Sequence, residues 1–309
     1  MLRSHRNDST QKGLLYGVLA FGLWGFGPIY FKAVASVAAT EVLAHRIVWS
    51  VLFLAVLLTW KKQWGAYSEL FRNPRQAKWL LVTALLIAGN WLTFIWAVAN
   101  DQIIRASLGY FINPLFSVFL GMVFLRERLR PLQWVALALA GIGVANEIFN
   151  VGYLPWVAMV LALTFGFYGL VRKHVGADPV QGLTVETVLL LPFALAYLGW
   201  LLWAGELSFA HQGMVMDLLL FSAGVVTALP PVYFAAAANL LSLSAVGLLQ
   251  YIAPSITFLL AIFLYKEPFS GSQLVTFLFL WVALALFTLE GWVTQRRRNR
   301  VLAPQPSNP

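Results

Sequence analysis

The chain contains no cysteine. That removes disulfides, thiol nucleophiles, iron–sulfur ligation and zinc–thiolate sites together. Charge is scarce as well: 11% of the 309 residues are charged, where a soluble domain carries roughly 25%. The four histidines, His5, His45, His174 and His211, are far apart, and no two stand at metal-ligand spacing. No Gly-Lys-Ser/Thr loop offers to cradle a phosphate, so no ATPase site, no metal and no cofactor are expected. An intramembrane enzyme would need Asp, His or Ser clustered at one depth, and the pattern offers none. Rings of charge or filter carbonyls, which a channel needs, are also missing.

What fills the space is apolar. Hydrophobic residues make up 60% of the chain and its mean hydropathy is +0.77. The few charges cluster, and between the clusters lie runs long enough for the ~30 Å hydrocarbon core, which takes about 20 helical residues. Ten such segments are read: 13–34, 41–60, 77–99, 104–125, 131–149, 153–171, 182–204, 215–237, 243–265 and 271–293. The expected fold class is an all-α membrane protein. The first run exceeds a signal-peptide h-region of about 7–15 residues and is rich in Trp and Tyr, so it is read as an uncleaved span.

The second half repeats the first. At an offset of 140, Phe94 meets Phe234, Leu108 meets Leu248, Ile112 meets Ile252, Pro114 meets Pro254, Glu127 meets Glu267 and Gln133 meets Gln273. Upstream, with a four-residue slip, Phe21, Gly22 and Gly25 meet Phe165, Gly166 and Gly169. Five spans per half is odd, so the halves enter the membrane from opposite sides and the ten helices form an inverted five-plus-five repeat. That is a frequent plan of secondary transporters, with substrate between the halves. The divisions are a cytoplasmic tail 1–12, a first repeat 13–149, a second repeat 153–293 and a disordered basic cytoplasmic tail 294–309.

Orientation follows from the basic residues. With the N-terminus cytoplasmic, all 21 Lys+Arg lie inside except Lys32, Arg46, Arg105 and Lys266. The basic balance is then an inner-leaflet signature, and nucleic acid is not an expected partner. The expected partners are the lipid bilayer and a small-molecule substrate.

Candidate site residues come from polar groups within spans. Tyr110, Asn113, Pro114, Ser117 and Gly121 share one helical face, and so do their repeat mates Gln250, Ala253, Pro254, Thr257 and Ala261. A proline at matching places frees a carbonyl and kinks each helix. Tyr110, Asn113, Gln250 and Tyr251 are assigned to substrate, and the smaller residues to tight packing. Asn90 and Trp91 add a second polar face, with interhelical bonding an equal account of Asn90. Pro230 and Pro231 are expected to break their helix locally. Trp24 and Tyr168 pair across the 144 offset as an aromatic wall or as core.

Arg46 and its repeat mate Glu186 lie inside spans. Burying either charge costs roughly 2.5–3.5 kcal/mol, so each faces a cavity or, for Arg46, snorkels. Inversion places them on opposite sides of the midplane, so no ion pair between them is expected. Glu186, and secondarily His45, are the candidates for proton coupling.

Four segments carry a resemblance. Ala44-His45-Arg46-Ile-Val-Trp49, Asn90-Trp91-Leu-Thr-Phe-Ile-Trp96-Ala, Ala106-Ser-Leu-Gly-Tyr110-Phe-Ile-Asn113-Pro114 and Leu248-Leu-Gln250-Tyr251-Ile-Ala-Pro254 resemble the RarD subfamily of the EamA family, in the drug/metabolite transporter superfamily. The likeness covers roughly 13 to 292. It implies two EamA-like repeats, a bacterial inner (plasma) membrane location, and export of metabolites or drugs, chloramphenicol-type compounds among them. A lipid-handling flippase is the competing class.

Overall fold

A computed structural model describes residues 2–99, 103–152, 156–264, 266 and 271–301. Among these, every regular element is a helix: α1 (Leu2–Gly25), α2 (Gly27–Ala33), α3 (Ala39–Trp60), α4 (Trp64–Arg72), α5 (Pro74–Ala99), α6 (Ile103–Leu125), α7 (Pro131–Val151), α8 (Trp156–Val175), α9 (Pro179–Ala204), α10 (Met214–Leu240), α11 (Leu243–Leu249), α12 (Ile252–Phe263) and α13 (Gly271–Val301). Eight helical segments are long and apolar enough to cross a membrane. Shorter apolar stretches, Gly109–Leu125 and Leu274–Phe287, lie in α6 and α13. The outer surface carries large apolar side chains such as Phe149, Phe193, Trp203 and Phe263, which water would disfavour and lipid accepts.

Proline and glycine set where the chain breaks. α1 and α2 are separate because Pro28 lacks an N–H and its ring opposes the carbonyl of Trp24; Phe26 is the turn between them. The segment 243–265 is likewise split at Gln250 and Tyr251. Pro254 explains the place: its ring displaces the carbonyl of Gln250, four residues back. The backbone there tightens, with the Tyr251 amide donating to Leu248 O at 3.3 Å and the Ala253 amide to Gln250 O at 3.2 Å. Pro114, the repeat mate, lies within an unbroken α6.

Two expectations are corrected, at Pro230–Pro231 and in the basic tail. α10 runs unbroken through Pro230 and Pro231; its ladder resumes on both sides, and packing against α1 and α3 holds it. The chain is helical through residues 2–12, where no proline or glycine intervenes. It is also helical through 294–301, so that part of the basic tail is not disordered. Gln and Arg favour helix, and the next proline is Pro304. Residues 302–309 lie outside the described residues, as do Asn100, Asp101 and Glu267.

The helices pair across the halves. α7 packs on α13, α6 on α8, α5 on α8, α1 on α10 and α12, α3 on α9 and α10, α5 on α9, and α6 on α11. Lipid tails give helices no hydrophobic drive to associate, so close approach through small residues matters. Gly247 shows this: a Cβ there would lie 2.9 Å from the Pro114 carbonyl oxygen, so α11 meets α6 backbone to backbone. Gly143 plays the same part between α7 and α13, facing the Thr276 carbonyl. One core cluster joins α6, α7, α11 and α13 around Phe111, Tyr251 and Phe277. A second joins α1, α5, α8 and α10 around Phe21, Tyr168 and Phe234.

Candidate functional site

Two buried arginines organise the polar interior. Arg46, on α3, is 6% exposed. Its guanidinium carbon lies 4.3 Å from the centre of the Trp91 ring and 5.7 Å from that of Phe31. Its Nε has no hydrogen-bond partner, and no carboxylate among the described residues pairs with it. Tyr30 and Tyr110 are its electrostatic neighbours. Aromatic contacts continue outward, with Phe31 against Phe94 at 6.3 Å and Phe94 against Tyr110 at 5.9 Å. Tyr110 is 39% exposed, although α6 is packed by α5, α7, α8 and α11. Three helices, α2, α5 and α6, therefore present aromatic side chains around the cation that α3 supplies.

Arg172, on α8, is 2% exposed and has the opposite surroundings. Its Nη1 lies 3.5 Å from Glu186 Oε1, and Glu186 is itself 1% exposed. The Thr83 hydroxyl donates to Glu186 Oε1 at 2.6 Å and the Tyr168 hydroxyl to Oε2 at 3.4 Å. The two hydroxyls satisfy the carboxylate, and the guanidinium faces it as an ion pair with none of its own nitrogens hydrogen-bonded. Gly182, one turn before Glu186 on α9, makes the room: a Cβ there would stand 1.9 Å from Arg172 Nη1. Arg46 and Glu186 form no ion pair with each other; Glu186 faces Arg172 instead.

The remaining candidates divide. Trp24 is half-buried among Phe21, Phe165 and Phe234, with ring centres 5.6, 5.6 and 6.0 Å away. Tyr168 stacks on the same Phe234 at 5.8 Å, so the two aromatics expected as a wall share one core cluster. Asn90 donates to Leu161 O at 3.0 Å and to Thr164 Oγ1 at 2.9 Å, tying α5 to α8. Asn113 is buried, and its Oδ1 lacks a partner. Gln250, at the break between α11 and α12, donates to Ser117 Oγ at 3.0 Å. Tyr251 is fully buried and donates to Phe111 O at 3.3 Å, which gives it a packing role in this conformation.

His45, although next to Arg46, belongs to a different cluster. Trp49 Nε1 donates to its Nδ1 at 3.2 Å, and Glu41 Oε1 lies 3.7 Å from its Nε2. Glu41 in turn accepts the amide of Ser208 at 2.7 Å and that of Phe209 at 3.3 Å. The cluster fastens the α9–α10 connection onto α3.

Sequence reasoning missed Arg172, Glu41 and Glu127. Arg172 was assigned to a basic loop, yet its i, i+4 spacing from Tyr168 puts both on one face. Glu127 accepts the amides of Leu243 at 2.7 Å and Ser244 at 2.9 Å, and the Ser244 hydroxyl at 2.7 Å. It thus ties the connection after α6 to the start of α11. The signal was there in the repeat of Glu127, and the preceding residues agree: Arg126 and Lys266 are both left-handed, with φ 53° and 51°.

The family model "EamA-like transporter family" matches residues 11–146. Helices of membrane-crossing length, paired between two repeated halves, are the build of a membrane transporter, and the chain belongs to the EamA-like transporter family. Protein RarD of Escherichia coli K12 is 45% identical over 294 residues, covering 94% of this chain and 98% of that one. An uncharacterized transporter of Vibrio cholerae is 47% identical over 291 residues, 94% and 96% of the two chains. The chloramphenicol-sensitive protein RarD of Pseudomonas aeruginosa is 34% identical over 295 residues, 93% and 96%. One solved crystal structure superposes with a TM-score of 0.70 at 18% identity, covering 90% of this chain and 98% of that one. At that identity the likeness speaks for the fold alone.

Proposed function

We propose that the protein is a secondary transporter of the bacterial inner membrane, with ten spans in an inverted five-plus-five repeat and both termini cytoplasmic. It exports small organic solutes by alternating access. In this reading the spans are α1 with α2, α3, α5, α6 and α7, then α8, α9, α10, α11 with α12, and α13. The observation that carries the reading is the helix pairing. Exchanging the halves turns the α6–α8 contact into α1–α12, α5–α8 into α1–α10, and α3–α10 into α5–α9, while α7–α13, α3–α9 and α6–α11 map onto themselves. A packing that survives exchange has a second, nearly equivalent arrangement available, which is what alternating access uses.

The closed end in this conformation is the one where Glu127 caps α11 and Gly247 meets Pro114. With the basic residues inside, that end is cytoplasmic, so α6 and α11 separate when the site opens inward. Glu186 is the proposed proton site. Its carboxylate holds Arg172, Thr83 and Tyr168 when charged, and a proton would loosen all three contacts together. The test is solute flux into proteoliposomes with and without an imposed pH gradient. Uphill flux in the native chain with exchange alone in Glu186→Gln supports the coupling. Absence of any saturable flux for chloramphenicol or other small solutes refutes the transporter reading.

A further inference from the structure

We propose that Arg46 is an anion subsite, and that the solutes this protein carries include aromatic carboxylates. The inference rests on the transporter reading for its physiological sense, but it stands on its own geometry. A buried guanidinium normally pairs with a carboxylate, because an uncompensated charge away from water is costly. Arg172 obeys the rule through its ion pair with Glu186, although none of its nitrogens is hydrogen-bonded. Arg46 does not: at 6% exposure it has aromatic rings beside it and no acid among the described residues. The missing partner is an anion.

The geometry says what kind. The guanidinium carbon lies over the Trp91 ring, 4.3 Å from its centre. Its in-plane N–H groups are what a carboxylate engages, often two at once, and Nε is without a partner. Around it Phe31, Trp91, Phe94 and Tyr110 are partly accessible rather than sealed in the core; Phe31, Phe94 and Tyr110 form one chain of ring contacts, and Trp91 lies against the guanidinium. A flat apolar body lying along these rings, with its carboxylate at Arg46, satisfies both features. The repeat makes the site single. At the equivalent position the second half has Glu186, already paired, and Pro231 stands where the first half has Trp91.

The experiment compares 3-phenylpropionate with its uncharged isostere 3-phenylpropionamide, and with acetate. Binding to the purified full chain in nanodiscs is read by thermal stabilisation, and flux by counterflow in proteoliposomes. Native protein is expected to bind the acid at least tenfold more tightly than either the amide or acetate. Arg46→Gln should erase the preference for acid over amide while leaving amide binding within about twofold, and Arg46→Lys should keep part of it. Equal binding of acid and amide by native protein, binding of neither, or a preference that survives Arg46→Gln overturns the inference. Should Arg46→Gln fail to fold, the acid-to-amide ratio in Arg46→Lys decides: an undiminished ratio refutes the guanidinium's role. Flux of the amide equal to that of the acid leaves the transporter reading standing without the anion site. Arg46-dependent binding with no flux of any solute does the reverse.

Discussion

Arg46 and Arg172 are both withdrawn from water, yet they are compensated differently. Arg172 is neutralised within the fold by Glu186, whose other lone pairs are taken by Thr83 and Tyr168. Arg46 is flanked by Trp91 and Phe31 and meets no acid among the described residues. The repeat relates Arg46 to Glu186, so equivalent places carry opposite charges. One half builds a closed ion pair that fixes α8 against α9; the other holds a charge with its partner missing. The 140-residue offset relates the two positions in sequence, and the difference between them separates a charge paired within the fold from one proposed to bind a ligand.

That comparison breaks most readily at Arg172. Arg172→Ala leaves Glu186 buried without its counterion, and the expected loss is about 3–5 kcal/mol, read from chemical unfolding in detergent. Combining it with Glu186→Ala should recover most of the loss; no recovery would show that the pair is not the cause. Next in size is Gly182→Ala. Its Cβ would fall 1.9 Å from Arg172 Nη1, and forcing the guanidinium aside should cost about 1–3 kcal/mol. The same substitution made in Arg172→Ala should cost much less, a coupling measurable by a double-mutant cycle.

Gln250→Ala removes the bond to Ser117 that spans α6 and the α11–α12 break. The expected change is about 1 kcal/mol. The smallest effect on stability is expected at Arg46→Gln. Losing the cation–π contact costs about 0.5–2 kcal/mol, and removing an unpaired buried charge offsets it, so unfolding should move by about 1 kcal/mol or less. A loss as large as that of Arg172→Ala would mean that Arg46 is structural, and the contrast between the two arginines would collapse.

Much of the fold was legible because its causes are local. The apolar runs, the 140-residue offset and the sparse charges required only counting, and each of the ten segments read from them is helical over most of its described length, with breaks at Phe26 and at Gln250–Tyr251. The breaks were harder. Pro254 splits its segment whereas Pro114 and the Pro230–Pro231 pair do not, since neighbouring helices decide whether a lost hydrogen bond becomes a break. At the site, Arg46, Trp91 and Tyr110 were named from sequence and lie around one centre. Tyr168 and Glu186 were named too, but their partner Arg172 was read as a loop cation. A charge at the end of an apolar run looks the same whether it faces water or a carboxylate on another helix. Tyr251 misled for a related reason: a phenol on a polar face satisfied its hydroxyl on the Phe111 carbonyl.

The proposed alternating access requires the α6–α11 contact to open, and the cysteine-free chain permits a direct test. A Cβ at Gly121 would lie 3.0 Å from Ser244 Oγ, the atom that a cysteine at 244 replaces with sulfur, so an S–S bond of about 2.04 Å is within reach. Solute counterflow should be measured in proteoliposomes for Gly121→Cys with Ser244→Cys, oxidised and then reduced. The account predicts that oxidation arrests flux and reduction restores it. Undiminished flux through protein in which the pair is fully cross-linked would contradict it.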